Sequence, residues 1–172
     1  MIGGIGITLE TTNYADQEDY SLMSKGHEKL AASMIGVWWL QSRLDTAEDG
    51  SRREEPSLGS DPLGILTYTS GRFAAQFMKR NRSKVYSLEP SISGQNNTGA
   101  IGGYDAYFGT YEIDQKSGEV LHRLEGALTI ANVGIEVSRN IRVEGDQLEI
   151  RLAITNADRE SVTRTLTWER IG

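Results

Sequence analysis

Every position of Val37-Trp38-Trp39-Leu40 is apolar. Successive side chains of an extended chain point to opposite faces, so a strand with this composition buries both faces, whereas a half-solvated strand buries one. The run therefore reads as the base of a core. Gly36 stands two residues before Trp38 and opens the strand.

The remainder of the chain supplies what that core packs against. From Asp16 the residues Tyr20, Met23, His27, Leu30 and Met34 recur at alternating steps of three and four, which predicts one face of an amphipathic helix, with Asp16 and Asp19 as N-terminal capping candidates. Such a helix either packs on the outer wall over Val37 and Trp39 or closes one mouth of the fold as a lid. Residues 1–15 are Gly- and Thr-rich and read as mobile, or as an added strand. The stretch from Leu44 to Gly64, with Glu48, Asp49, Arg52, Arg53, Glu54 and Glu55, reads as a solvated polar loop.

Short alternating segments follow. Gly64–Thr69 and Arg72–Lys79 flank a Ser70-Gly71 turn, and Tyr104–Ile113 and Glu119–Leu128 flank Asp114–Gly118. Glu136–Val143, Gln147–Ile154 and Ser161–Ile171 complete eight strands. Short connections make neighbouring strands antiparallel, giving an up-and-down meander. Arg80–Gly102 lacks periodicity and, with Tyr86, Leu88 and Ile92, reads as a flap over a mouth. Asn96-Asn97-Thr98 matches a glycosylation sequon, read here as a chance match.

Gly36-Val37-Trp38, then Gly103-Tyr104-Asp105-Ala106-Tyr107-Phe108-Gly109-Thr110-Tyr111, then His122-Arg123-Leu124-Glu125-Gly126, in this order, resemble the bacterial lipocalin-like domain family. The resemblance covers roughly Ser33 to the C-terminus. It implies an all-β fold, an eight-stranded antiparallel up-and-down barrel with an N-terminal amphipathic helix, in which Thr165–Arg170 closes onto the first strand. Residues 1–33 then form an extension and helix of the same domain as the barrel, 34–172. The resemblance also places Trp38 at the closed end with a late basic residue, Arg170, over its ring. Barrels of this kind hold small apolar molecules, carry them or isomerise them, and the fold alone does not choose.

Alternation assigns the interior. His122 shares a face with Val120 and Leu124, and Arg139 shares one with Val137 and Ile141. A buried guanidinium needs an acidic partner, several carbonyls or an anionic ligand. Arg164 shares its face with Val162, Leu166 and Trp168, and either enters the interior or reaches the rim. The fourth strand is ambiguous, because Tyr104, Phe108 and Thr110 oppose Tyr107, Gly109 and Tyr111. His122, Tyr107 and Arg139 are the candidate catalytic set, able to polarise a carbonyl and move a proton. Trp38, Leu40, Tyr68, Phe73, Gln76, Met78, Phe108, Tyr111, Leu124, Arg164 and Trp168 are the candidate ligand contacts.

Composition narrows the function classes. The 172 residues include no cysteine and two histidines, which argues for a reducing compartment and against a histidine-based metal site. The net charge of −6 opposes binding to a phosphate backbone, and no apolar run approaches a membrane span. No phosphate loop, dinucleotide fingerprint or Gly-x-Ser-x-Gly elbow occurs. The expectation is a cytoplasmic protein without cofactor, metal, nucleic acid or membrane partner, and nothing opposes a homodimer. It encloses a small apolar molecule, either as a cyclase or isomerase of a polyketide- or terpenoid-like intermediate or as a passive binder of a lipid-like ligand.

Overall fold

The computed structural model describes the backbone of residues 14–82, 96–156 and 158–172, and side chains from Leu22 onward. The expectations for residues 1–13, for the cap and face positions Asp16, Asp19 and Tyr20, and for Tyr86, Leu88 and Ile92 lie outside the described residues. Among the described residues a helix α1 (Tyr14–Met34) precedes nine strands: β1 (Gly36–Ala47), β2 (Arg52–Arg53), β3 (Leu63–Thr69), β4 (Arg72–Met78), β5 (Tyr104–Ile113), β6 (Val120–Ala127), β7 (Glu136–Glu144), β8 (Gln147–Thr155) and β9 (Ser161–Arg170). No helix among the described residues is long and apolar enough to cross a membrane.

Sequential neighbours pair antiparallel from β3 to β9, and β1 pairs with both β3 and β9, so eight strands close into a barrel with β2 appended to the end of β1. Closure is possible because β1 is long enough to carry the last strand along its whole length, from Trp38 opposite Arg170 to Ala47 opposite Val162. The core fills one end: Trp38, Tyr68, Val120, Leu124, Leu148 and Trp168 are all fully buried. The outer face of β1 is less covered than its composition predicts. Trp39 remains 39% exposed, and Val37 packs on the terminal Gly172.

The Trp38 end is sealed by a clamp that ties α1 to β9. Helix termini leave carbonyls without intrahelical partners. Here the Trp38 Nε1–H donates to the Met34 carbonyl at 2.9 Å, and Arg170 donates to the carbonyls of Ser33 at 2.9 Å and Ile35 at 2.6 Å. The guanidinium lies 4.0 Å above the Trp38 ring and also meets Asp146 at 3.3 Å. Gly36 makes room for it. Its φ of +144° is a conformation that favours glycine, and a Cβ there would stand 2.4 Å from Arg170 Nη1. Met34 is fully buried, Leu30 packs on the core, and His27 bonds Gln115 in the β5–β6 turn at 3.1 Å. The helix thus lies across the closed end, and none of its described side chains lines the cavity described below.

Two irregularities set which residues face inward. A bulge between Leu40 and Ser42 shifts the register of β1 against β9, so that Trp38 and Leu40 are followed on the inner face by Arg43, Asp45 and Ala47. The expected loop from Leu44 therefore begins as barrel wall, and the charges assigned to solvent are partly internal. A second bulge, at Phe108/Gly109 against β6, brings the Arg123 carbonyl to within 1.9 Å of where a Cβ of residue 109 would be. Only glycine fits there. Phe108 lies outside at 56% exposure, its ring against Gly126, while Asp105, Tyr107 and Tyr111 take the inner phase.

Arg170→Ala removes the cation over the indole and two helix-end hydrogen bonds together. We expect a loss of about 2–4 kcal/mol in urea unfolding, the scale of a broken buried network. A loss under about 0.5 kcal/mol would show that the clamp does not hold the closed end.

Candidate functional site

Toward the end opposite Trp38 the barrel is not filled. A cavity of about 600 Å³, counted with its opening to solvent, is walled by Phe73, Phe77, Leu166 and Trp168 and by the polar groups of Arg43, Asp105, Tyr107, His122, Arg139 and Arg164. Ser57, Leu58, Asn97 and Thr98 also line it. The mixture of aromatic walls with few polar points is typical of small-molecule sites.

Three buried guanidiniums dominate its electrostatics. Arg164 forms a two-pronged pair with Asp45, both contacts at 2.7 Å, and donates to Asn97 Oδ1 at 2.9 Å. It enters the interior and does not reach the rim. Arg43 pairs with Glu55 at 2.9 Å, and burial together with the neighbouring Arg164 lowers its pKa to about 10. Burial by itself would raise the Glu55 carboxyl. The Arg43 guanidinium, the Ser57 hydroxyl and the Leu58 amide outweigh it and hold Glu55 below the usual carboxylate range.

Arg139 differs from both. Its Nη1 donates to the Asn96 carbonyl at 3.1 Å, to Asn96 Oδ1 at 2.8 Å and to the Ser138 carbonyl at 2.8 Å. Among the described residues no carboxylate pairs with it. Burial lowers its pKa, opposed by the phenols of Tyr107 and Tyr68. Asn96, in the left-handed region at φ 59°, also accepts from the Ser138 amide at 2.9 Å and donates to the Ala153 carbonyl at 3.2 Å, fastening the end of the loop across β7 and β8.

His122 lies on β6 with its ring stacked 4.0 Å from Phe73 and its Nε2 sharing a 2.8 Å hydrogen bond with the Tyr68 hydroxyl. Burial, then Arg139, depresses its pKa well below the ordinary value, so it is a neutral imidazole. Burial raises the phenols of Tyr68 and Tyr107. Asp105 moves the other way from most acids: burial lifts its carboxyl to about 6 against the pull of the Thr98 hydroxyl.

The sequence-derived candidates divide by position. Phe73, Tyr107, His122, Arg139, Arg164 and Trp168 stand together on the cavity wall. Tyr68 stands behind His122, Leu124 is fully buried in the core, and the Tyr111 hydroxyl donates to the Thr69 carbonyl at 3.0 Å. Trp38 and Leu40 belong to the core without lining the cavity. Gln76, Met78 and Phe108 face outward: Gln76 accepts from the Tyr104 hydroxyl at 2.8 Å on the outer surface, and Met78 has the same phase. Alternation with Phe73 and Phe77 already required that placement.

Sequence reasoning missed Arg43, Asp45 and Glu55, whose inward turn depends on the β1 bulge, and Asn96, Asn97 and Thr98, whose match to a sequon concealed their role at the mouth. Asp105 was missed as well: it shares a face with Tyr107 two residues on, but alternation left open which face of that strand turns inward.

The model of the lipocalin-like domain family matches residues 35–171, and the chain belongs to this family. A barrel of this family suits a small hydrophobic ligand. A search of curated proteins found no match.

The raised Asp105 carboxyl has a signed consequence for stability. Between the unfolded value of 3.8 and the folded value of about 6 the folded protein holds the extra proton, so this group's contribution is complete below pH 4 and is lost as pH rises through 6. His122 acts in the opposite sense, because its depressed folded pKa removes stability as pH falls below its unfolded value of 6.5. Asp105→Asn should therefore gain on the wild type between pH 4 and 6, by on the order of 2–3 kcal/mol, and hold that gain above pH 6. Urea midpoints measured across this range check it, and a pH-independent difference would contradict it.

Proposed function

We propose that the barrel encloses a small, largely apolar molecule bearing a carbonyl or carboxylate oxygen, and acts on it as a cofactor-independent isomerase or cyclase of a polyketide- or terpenoid-like intermediate. One observation carries the reading. Arg139 is a buried cation on the cavity wall whose partners among the described residues are the Asn96 and Ser138 oxygens and the Tyr107 phenol, with no carboxylate. A buried charge without a counter-charge is costly, and a ligand oxygen accepting from it offsets that cost.

The chemistry available there is polarisation and positioning. A carbonyl held by Arg139 and the un-ionised Tyr107 develops negative charge in a low-dielectric site where fixed donors act strongly. Phe73, Phe77 and Trp168 shape the apolar part, and holding reacting atoms in near-attack geometry lowers a barrier by several kcal/mol, roughly the scale of orientation effects. His122 is neutral and already engaged with Tyr68, so it orients and donates or accepts one hydrogen bond.

A second reading, passive binding, is favoured by the prior pairing of Arg43 with Glu55, Arg164 with Asp45 and His122 with Tyr68, which leaves few groups free to turn over a substrate. In either case we place the protein in the cytoplasm, alone or as a homodimer, without nucleic acid or membrane partner, on the net charge of −6 and the absence of cysteine.

Incubation with a protein-free metabolite extract of the source cells, followed by differential chromatography and mass analysis, separates the two. An isomerase makes one signal fall while another of equal mass rises, and Tyr107→Phe slows the exchange by about 10²-fold or more, the scale of lost oxyanion or acid–base assistance. A protein that retains a molecule but converts none is a carrier.

A further inference from the structure

Asp105 is the only carboxyl among the described residues that lines the cavity, and no cation pairs with it. It is 3% exposed. Its Oδ2 accepts from the Thr98 hydroxyl and the Ala106 amide also acts on the carboxyl, while its Oδ1 is buried with no hydrogen-bond partner among the described residues. The two cations close enough to act on it, Arg43 from β1 and Arg164 from β9, are committed to Glu55 and to Asp45 with Asn97. Tyr107 follows it by two residues on the same face, and Phe77 stands opposite it on β4. A half-satisfied buried acceptor is costly to keep, and an aliphatic side chain would fill the same place without that cost.

We propose that Asp105 is a ligand-binding residue, its free Oδ1 accepting the hydroxyl of a phenol or enol on the molecule held in the barrel, while that molecule's carbonyl goes to Arg139 and Tyr107. This rests on the reading that the cavity holds a small molecule, and it names the class. The surroundings select the donor. Arg139, whose charge no carboxylate among the described residues neutralises, disfavours an ammonium, and a carboxylate offers Oδ1 no proton. A neutral, acidic hydroxyl gives a carboxylate its strongest uncharged donor. Phe73, Phe77 and Trp168 supply walls for a flat conjugated body.

The test pairs 4-hydroxyacetophenone with 4-methoxyacetophenone, which keeps the carbonyl and ring but cannot donate. Dissociation constants are measured by titration calorimetry on the full chain. The wild type should bind the hydroxy compound at least tenfold more tightly at pH 7, and the preference should shrink below about pH 6 as the carboxyl takes its proton. Asp105→Leu should abolish the preference while leaving the methoxy compound bound, and Asp105→Asn, which retains an acceptor, should keep part of it. Thermal unfolding of both variants shows that the barrel is intact. Equal binding of the two compounds by the wild type, or an unchanged preference in Asp105→Leu, overturns the assignment and leaves the cavity reading standing. Binding of neither compound by the wild type overturns both.

Discussion

Pairing of the first barrel strand with the last is the contact on which the rest of the structure depends. An open sheet of this length would leave two hydrogen-bonding edges and an apolar face without cover, and closure removes both problems at once. The chain secures closure at its two ends by different means. At one end Gly36 leaves room for Arg170, whose guanidinium covers the Trp38 ring and bonds the carbonyls of Ser33 in α1 and Ile35 just after it, so that helix, first strand and last strand meet in one cluster. At the other end the same pairing brings Asp45 opposite Arg164 across the barrel wall.

That second meeting depends on the single bulge after Leu40. Without the shift, β1 would continue its inner face through Ser42 and Leu44, and neither Arg43 nor Asp45 would enter the interior beside Arg164. With it, the barrel holds two buried ion pairs and a third guanidinium. Buried ion pairs are weak evidence for stability, since well-packed apolar groups of similar volume often do as well or better. Their presence here in an open-ended cavity, fastened to a loop through Asn96 and Asn97, fits a site held in a set geometry rather than a core optimised for stability. Arg139 and Asp105 have spare hydrogen-bonding capacity in it, one as donor and one as acceptor.

Much of this was legible in the chain, for physical reasons that differ by region. The eight barrel strands follow from period-two alternation between Gly- and Asp-marked turns, and β7 and β9 turn in Arg139 and Arg164 as alternation requires. Tyr107 and Tyr111 could not be separated from Tyr104 and Phe108, because both faces of β5 carry aromatic residues and alternation alone does not say which face turns inward. The inward course of Arg43 and Asp45 was hidden for a different reason: the bulge after Leu40 adds a residue to β1 itself and reverses its phase, and it leaves no pattern in a strand already apolar on both sides. Glu55 sits among charges that look solvated, and only its partner Arg43, twelve residues earlier, shows otherwise. Gln76 and Met78 are the reverse case, since their outward phase was readable from Phe73 and Phe77.

The cavity at the mouth of the barrel, on this reading, holds a small molecule by its oxygen at Arg139. Native mass spectrometry of the protein purified from its own cells, with mass analysis of whatever denaturation releases, measures this directly. The account predicts one bound species of a single mass, in a one-to-one ratio, whose occupancy falls sharply in Arg139→Met while the fold persists. A wild-type chain that leaves its cells empty, and retains nothing after exposure to their metabolites, would contradict it.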